Sequence, residues 1–461
     1  MAYATDLSGI CTSLDAADIE TWNRVIRGIL SHAESTAADL NTVIGKDPDF
    51  ALAQAIRGLS CLLLGRREMI AVAQEAYQAA LTAARRRPPT PRENGFLNAL
   101  SLWLQGRPAA AGECLQQVLD ENPRDALAMK MVQAIQFVMG RPDIMRSSVE
   151  SILPHWDDHA AKGYMLGCHA FTLEETGEYA LAEVAGQRAI ELAPDDAWGL
   201  HAVAHVFDMT GRAQEGLDWL NGREASWAHC NNFRFHVWWH QALMHLDIGD
   251  FGAALALYDT EIRREKTDDY RDIANATSLL ARLELEGADV DDRWEEVADL
   301  SEKRAEDGCL AFADLHYLLG LIGGGRDQAA TRLVGNMARA RPSEGEAKAV
   351  ICTNGHHTAI GLQAYANGNY RMAWLNLQKS VQELQAVGGS HAQRDVFSRI
   401  AVEAGIRGGY LDETEKLLRD RTRAHAGHQD GYTLRRLEFL ASVRDNARAG
   451  MPRLAGAKEI V

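Results

Sequence analysis

Apolar residues recur along this chain with the spacing of amphipathic helices. In residues 179–190 the pattern i, i+3, i+7 places Tyr179, Ala182, Gly186 and Ala189 on one face, with small residues where two helices would touch. The sequence lacks the sustained two-residue alternation of Val, Ile and Thr that is typical of strands. The pattern predicts an all-α fold, with helix pairs at about 163–176/179–192, 196–210/213–223 and 232–247/251–265.

Glycines that follow an apolar helical stretch recur at a nearly constant spacing of one helix pair. The series is Gly65, Gly106, Gly140, Gly177, Gly211, Gly249, Gly287, Gly325, Gly368 and Gly408. A turn between antiparallel helices favours glycine because glycine tolerates positive φ. The spacing is typical of helical-repeat proteins, and its shortest intervals equal the tetratricopeptide (TPR) period of about 34 residues. We therefore predict a TPR-like right-handed α-solenoid of about ten helix pairs with a concave inner surface.

Prolines mark the joints between some of these units. Pro48, Pro123 and Pro194 each follow one apolar stretch and precede the next, where proline ends a helix and a neighbouring Asp or Asn can cap another. The match to the repeat is weak at the start of the chain. We therefore divide the chain into an N-terminal helical cap (1–90), TPR-like repeats (91–445) and a C-terminal tail (446–461).

Three short segments are more specific than a generic repeat. They are WGLHAVAHV at 198–206, HVWWH at 236–240 and GGSHAQRDVF at 388–397. In these segments the region 163–418 resembles the tetratricopeptide repeat protein 38 family. The resemblance implies an α-helical repeat fold and supplies no catalytic residues that could be carried over.

Charge and composition narrow the partners and the compartment. The chain has 48 Lys+Arg against 64 Asp+Glu, a net charge of −16, and no long basic block, which argues against nucleic acid or an anionic membrane as partner. No apolar run is long enough to span a bilayer, and the first residues do not form a secretory signal. The seven cysteines are scattered without a C-x-x-C pair. We predict a cytoplasmic protein, and a homodimer is compatible with the sequence.

Histidines occupy matched positions in successive units. His201 and His205 have an i, i+4 spacing, as do His236 and His240. The offset from His201 to His236 equals the offset from His205 to His240, and it is about one repeat unit. Because residues at i and i+4 share a helix face, both pairs should face one groove. His169 precedes His201 by nearly one unit, so we expect five histidines along one stretch of inner wall. The alternative is that each is an ordinary hydrogen-bonded core residue.

Later units add candidate substrate-binding groups. The helical stripe of Arg271, Asn275 and Arg282 could line the groove or be a solvated face, and His316 lies in an apolar segment. A second set follows the predicted N-cap Ser390 and comprises His391, Arg394 and Asp395. Guanidinium groups bind carboxylates and phosphates in a bidentate manner, which suggests an anionic substrate, although Arg394 and Asp395 could instead form a structural ion pair.

Three functions fit this pattern. The first is an enzyme without a cofactor, in which the five histidines perform acid/base chemistry on a small anionic metabolite in the concave groove. The second is a TPR scaffold that binds a peptide or partner protein there. The third is an enzyme that depends on a divalent transition metal bound by His201, His205, His236 and His240, although the H-E-x-x-H motif is absent. A water-excluded pocket at these histidines would favour chemistry, and a long open groove would favour peptide binding.

Overall fold

The computed structural model describes residues 4–448, and almost all of its regular structure is helical. The early helices are α1 (Ile19–Ser31), α2 (Thr36–Lys46), α3 (Ala51–Leu63), α4 (Arg67–Arg86), α5 (Pro91–Leu104), α6 (Pro108–Glu121), α7 (Ala126–Val138), α8 (Pro142–Ile152), α9 (Lys162–Glu175), α10 (Tyr179–Leu192), α11 (Ala197–Met209) and α12 (Ala213–Leu220). The later helices are α13 (Phe233–Asp247), α14 (Phe251–Leu257), α15 (Tyr270–Leu285), α16 (Arg293–Arg304), α17 (Ala311–Gly323), α18 (Asp327–Arg339), α19 (Glu346–Val350), α20 (His356–Ala366), α21 (Tyr370–Val381), α22 (His391–Gly408), α23 (Leu411–Ala424) and α24 (Gly431–Arg448).

Consecutive helices pack in pairs, and each pair packs on the next. Helix α9 contacts both its partner α10 and the first helix of the following pair, α11, and the same holds for α3 with α4 and α5. The prediction of an all-α, TPR-like solenoid is confirmed, and the three predicted helix pairs match α9 to α14 within a few residues. The second helix of the third pair, α14, is shorter than predicted, because a π-helical turn (Tyr258–Ile262) follows it.

The chain starts with a small element that the sequence did not suggest. Strands β1 (Ala4–Thr5) and β2 (Cys11–Thr12) form an antiparallel hairpin. The buried Arg92 on α5 holds this hairpin, because its Nη1 lies 2.7 Å from Oδ2 of Asp6. The Nη2 atom of the same side chain lies 2.8 Å from Oδ1 of Asp125. Helices α1 to α4 then form two ordinary pairs, and the division of the chain at residue 90 stays a prediction. Of the predicted tail, residues 449–461 lie outside the described part of the chain.

The glycine turns behave as the repeat spacing predicts. Nine of the ten glycines have positive φ, whereas at the tenth α22 continues through Gly408 and the left-handed residue is Gly409. Gly140 shows a second reason for glycine, because a Cβ there would lie 1.8 Å from the backbone oxygen of Gln385. The same turn therefore connects two helices and lets a distant segment approach closely.

Distant segments meet because the stack of helix pairs coils back on itself. Turns in the early units bind segments 216 to 245 residues later, which corresponds to roughly six to seven repeat units in one turn of the coil. Three hydrogen bonds of this kind join Gln385 Nε2 to Gly140 O at 3.2 Å, His391 N to Glu175 Oε1 at 2.7 Å and Tyr179 Oη to Ala424 O at 2.6 Å. The inner face of the solenoid is thus surrounded by protein on several sides.

The apolar core follows the coil instead of forming one centre. Its two largest parts lie between α1 and α9 and between α13 and α22. Within residues 4–448, no helix combines the length and the apolar character needed to cross a bilayer.

Candidate functional site

A cavity of about 250 Å³ lies on the inner side of the coil. Aromatic rings form much of its wall: Phe137, Phe171, Trp198, Phe233, Tyr270 and Phe312. Its polar lining includes His32, Lys130, His201, Asn232, His236 and Arg271. A mostly apolar cavity with a few polar groups is the usual form of a small-molecule site.

Four histidines of α11 and α13 meet beside this cavity. One ring nitrogen of each lies within 4.8 Å of the corresponding nitrogens of the other three. His201 and His236 line the cavity, whereas His205 and His240 lie behind them and are fully buried. The ring centroids of His205 and His240 are 4.3 Å apart, and 3.2 Å separates the Nε2 atoms of His236 and His240. The structure therefore brings together the two pairs that occupy matched positions in successive units.

Two of these rings are oriented by acceptors outside the cluster. The Nδ1–H of His201 donates to the carbonyl oxygen of Trp198 on the same helix. The Nδ1–H of His236 donates to Oδ1 of Asn275 on α15, at 2.9 Å. Because a neutral imidazole carries one proton, each of these bonds leaves Nε2 unprotonated.

His205 faces a buried carboxylate that lacks a good partner. Oε2 of Glu174, on α9, is 3.4 Å from His205 Nδ1. Within the described residues, however, neither oxygen of Glu174 and neither nitrogen of His205 has a hydrogen bond, and Nδ1 of His240 also has none. A buried polar atom without a partner costs about 1–3 kcal/mol. Five such atoms in one cluster are unfavourable for folding alone, and such groups point to a functional role.

Burial and neighbouring charge give the four rings different protonation states. Burial lowers the pKa of His201 and of His240 far below the ordinary value and lowers the pKa of His236 to about 3. Burial also acts to lower the pKa of His205, but Glu174 and other carboxylates outweigh it and raise that pKa above the ordinary value. The cluster therefore combines three neutral imidazoles with one whose charged form is stabilised.

A buried lysine brings positive charge to the cavity. Lys130 on α7 lies 4.9 Å over the ring of Trp198, and its Nζ contacts Cys168 Sγ at 4.0 Å. It forms no ion pair with any residue in the described range. Asp196 is close enough to interact with Lys130, but burial raises the pKa of Asp196 to about 7, so this carboxyl group is only a partial counter-charge at neutral pH. The positive charge of Lys130 is therefore incompletely balanced by the protein.

His169 lies apart from the other four predicted histidines. Its Nε2 is 3.5 Å from Glu150 on α8, and it does not belong to the converging group. The step from His169 to His201 is 32 residues, whereas the step from His201 to His236 is 35, so His169 does not occupy the position that the two later pairs share.

Two of the predicted substrate-binding residues lie at the site. Arg271 lines the cavity, and Asp269 holds its guanidinium through contacts of 2.8 Å to Nε and 2.6 Å to Nη2. Asn275 does not line the cavity but fixes the ring of His236. We therefore infer that Asn275 positions His236 and does not itself contact a substrate.

Arg282 and His316 lie deeper in the protein than predicted. Arg282 donates to the carbonyl oxygens of Ser278 at 3.1 Å and Ala392 at 2.6 Å, and burial lowers its pKa to about 9. His316 Nδ1–H donates to the carbonyl oxygen of Phe312 at 2.7 Å. A helix advances about 1.5 Å per residue, so Arg282 is about 16 Å further along α15 than Arg271. The predicted stripe of Arg271, Asn275 and Arg282 lies on one face of α15, but only the first turn of that helix reaches the cavity.

His391, Arg394 and Asp395 form contacts between neighbouring helices of the coil. The backbone N–H of His391 donates to Glu175 Oε1, and Arg394 Nη2 is 3.4 Å from Glu175 Oε2. Asp395 accepts instead from Arg399 and Arg421. Arg394 and Asp395 therefore form structural ion pairs with other residues and do not pair with each other. The prediction of Ser390 as N-cap is confirmed, because Ser390 and Gln393 form a capping box.

Sequence reasoning missed several residues of the site. His32 follows α1 with a positive φ of 59° and stacks on Trp198 and Phe233, at 5.4 and 4.7 Å between ring centroids. Lys130 was also missed, because nothing near it in the sequence indicates a cavity. Only Glu174 carried a signal, as one of two adjacent carboxylates in an otherwise apolar stretch of α9.

A second, larger space adjoins the first. This cleft of about 760 Å³ shares Val138, Leu310 and Val387 with the smaller cavity. It lies between the turns that follow α3 and α5 and the segment from α16 to α19. Its charged lining includes Arg66, Arg67, Asp307, Asp314, Arg339 and Lys348.

Comparison with known proteins adds little beyond the fold. No protein-family model matches the chain, so the resemblance to the tetratricopeptide repeat protein 38 family stays a prediction. Among solved structures, the chain is similar to human IFIT1, determined as a dimer with PPP-AAAA, at 14% identity over 94% of this chain and 95% of that chain, with a TM-score of 0.43. A similarity at this level carries no argument about ligands or assembly.

Proposed function

We propose that the protein binds a small anionic molecule in the aromatic-walled cavity and acts on it at the histidine cluster. The observation that carries this proposal is the combination of Lys130 and the converging rings. Lys130 is 7% exposed, lines the cavity and forms no ion pair within residues 4–448, and a buried ammonium favours a counter-ion. A negatively charged ligand would supply that counter-ion next to His201 and His236.

The wall of the cavity limits the class of ligand. Its volume lies below the roughly 300–1,000 Å³ of sites for drug-sized molecules, which favours a metabolite of modest size. Aromatic rings on several sides favour a ligand with an apolar or planar body, while Lys130 and Arg271 favour a carboxylate or phosphate group.

The cavity-facing imidazoles suit proton transfer. The bond from Nδ1 of His201 leaves its Nε2 available to accept a proton from a bound molecule, and Nε2 of His236 is 3.2 Å from Nε2 of His240, so a proton can pass between these two rings. His205 lies behind them, and its charged form is stabilised by Glu174, so a proton can be held within the cluster. Acid/base chemistry on the bound anion is therefore the reaction type that the imidazoles favour.

A ligand test needs no knowledge of the natural substrate. We expect benzoate and inorganic phosphate to raise the melting temperature of the protein, because a ligand that binds only the folded state stabilises it, and we expect the uncharged benzamide to have little effect. The shift should disappear in Lys130→Met, which keeps most of the side-chain length without the charge. Lys162→Met, at a partly exposed ion pair with Asp157, is the matched control. Equal shifts with benzamide, or an unchanged shift in Lys130→Met, would contradict the proposal.

A second candidate is a scaffold that binds a peptide or partner protein. The larger cleft of about 760 Å³ favours it, because this space exceeds the histidine cavity and its lining carries charges of both signs. Binding of peptides that is lost in Lys348→Met but kept in Lys130→Met would support this function. The predicted absence of a nucleic-acid partner, the cytoplasmic location and the homodimer stay predictions.

A further inference from the structure

We propose that the imidazoles of His201, His205, His236 and His240 bind one divalent first-row transition metal ion, with Glu174 as the residue that positions His205. This inference deepens the proposed function, since it names how the cluster would act on a molecule in the cavity. Metal binding itself can be measured without any knowledge of that molecule.

The separation of the ring nitrogens fits a shared ion. Zinc–nitrogen bonds of about 2.0–2.1 Å in a tetrahedron place neighbouring donor atoms roughly 3.3–3.4 Å apart. The Nε2 atoms of His236 and His240 are 3.2 Å apart, and all four rings offer a nitrogen within 4.8 Å of the others. The two i, i+4 pairs on adjacent helices therefore supply four donors around one point, an arrangement that helical proteins use for metal sites.

The outer nitrogens of the rings are arranged as in known metal sites. A histidine ligand usually donates its second N–H to a carbonyl, an amide oxygen or a carboxylate, which fixes the ring and leaves the other nitrogen for the metal. Nδ1 of His201 donates to the carbonyl oxygen of Trp198, and Nδ1 of His236 donates to Asn275. Nδ1 of His205 faces Oε2 of Glu174 at 3.4 Å. Three of the four rings thus have an acceptor behind them.

A simple hydrogen bond between histidines explains less. If His240 donated its Nε2–H to His236, the short nitrogen–nitrogen distance would be accounted for. Both nitrogens of His205 and both oxygens of Glu174 would still be buried without a hydrogen bond among the described residues. A bound cation would use the lone pair of His205, strengthen the contact between His205 and Glu174, and balance the negative charge of that carboxylate.

The donor set also indicates the class of metal. Neutral imidazoles suit Zn²⁺, Fe²⁺, Ni²⁺ and Cu²⁺, whereas Mg²⁺ and Ca²⁺ prefer oxygen ligands. Because His201 and His236 line the cavity, the ion would lie at its wall, where an anion held by Lys130 could reach it. A metal ion there would polarise an oxygen atom of that anion.

The first experiment measures metal directly. The full chain, purified from cells supplied with zinc and iron salts, should contain about one transition-metal ion per chain by elemental analysis. After removal of metal with a chelator, Co²⁺ should restore stoichiometric binding with the ligand-field absorption of nitrogen-ligated cobalt, and the melting temperature should rise again. A folded wild-type chain that binds neither zinc, iron nor Co²⁺ in a stoichiometric manner would overturn the proposal.

Two variants locate the site. The double variant His205→Gln/His240→Gln should lose stoichiometric Co²⁺ binding, whereas His245→Gln, also on α13 but outside the cluster, should keep it. If the double variant does not fold, Glu174→Gln tests whether the bound metal lies next to His205. That variant should weaken Co²⁺ binding about 10–100-fold and shift the cobalt spectrum, because the acceptor behind His205 changes. Unchanged affinity and an unchanged spectrum in Glu174→Gln would exclude the positioning role.

The two proposals can fail separately. Loss of metal binding with a benzoate shift that still depends on Lys130 would exclude the metal and leave acid/base chemistry by the imidazoles. Stoichiometric metal without any effect of benzoate or phosphate would leave the metal site and exclude the anionic ligand.

Discussion

The histidine cluster between α9, α11 and α13 can be compared with a second buried polar cluster between α22, α23 and α24. In the second cluster Asp395 accepts from Arg399 at 2.7 Å and from Arg421 at 2.8 Å, and Asp430 is 2.6 Å from Arg421. Thr433 N donates to the other oxygen of Asp430. Each carboxylate there has a charged partner, whereas Glu174 faces only a histidine and has no hydrogen bond within residues 4–448.

The same contrast is visible in single aspartates. Burial acts to raise the pKa of Asp395, but Arg421 and Arg399 outweigh it and hold that pKa well below the usual value. Lys130 and backbone N–H groups act to lower the pKa of Asp196, beside the histidine cavity, but burial outweighs them and raises that pKa to about 7. Depth of burial alone therefore does not reveal function. Buried carboxylates that are paired with arginines stabilise the fold, whereas a buried carboxylate without a hydrogen bond indicates a ligand.

The largest expected effect lies in the cluster of paired aspartates and arginines. Asp395→Asn should reduce the free energy of unfolding by about 3–5 kcal/mol, because it leaves two buried guanidinium groups with one carboxylate fewer. Chemical denaturation followed by circular dichroism would measure the change. Asp412→Asn, at an exposed ion pair with Arg444, is the control and should leave the midpoint almost unchanged. Equal losses in both variants would mean that the cluster is not a special source of stability.

A smaller effect should appear as a pH dependence at Asp196. The folded-state pKa of Asp196 is raised to about 7, so its contribution is favourable below the unfolded pKa of about 3.9 and is lost as the pH rises towards 7. Asp196→Asn cannot ionise and still caps α11 through Gly199 N. The variant should therefore gain roughly 1–4 kcal/mol relative to wild type between about pH 4.5 and about pH 7.5. Denaturation curves at both pH values would test this, and a difference of the opposite sign would show that Asp196 is ionised and paired in the folded protein.

The smallest effect is expected where the polar groups are unsatisfied. In metal-free protein, the double variant Glu174→Leu/His205→Leu should change the free energy of unfolding by no more than about 1 kcal/mol, because the removal of buried groups that lack partners offsets the imperfect packing of the new side chains. Denaturation of the chelator-treated proteins would measure this. A loss as large as that of Asp395→Asn would mean that both clusters serve the fold.

Much of the fold could be predicted from local patterns. The period of the glycine turns depends only on residues within one unit, and nine of the ten predicted positions have the expected conformation. The shift from Gly408 to Gly409 shows the limit, because two adjacent glycines can both end a helix and only packing selects one. The hairpin at Ala4–Thr5 and Cys11–Thr12 was not predictable for a related reason, since Arg92 and Glu93, far along the chain on α5, hold it in place.

The meeting of four imidazoles follows from local sequence alone, because an i, i+4 spacing on each helix and a matched offset between neighbouring units bring together His201, His205, His236 and His240. Their surroundings depend on the tertiary structure. His32 reaches the cavity by packing against Trp198 and Phe233, which lie several units later in the sequence. Such contacts depend on how many small rotations accumulate along the helical stack, and no single repeat unit encodes that sum.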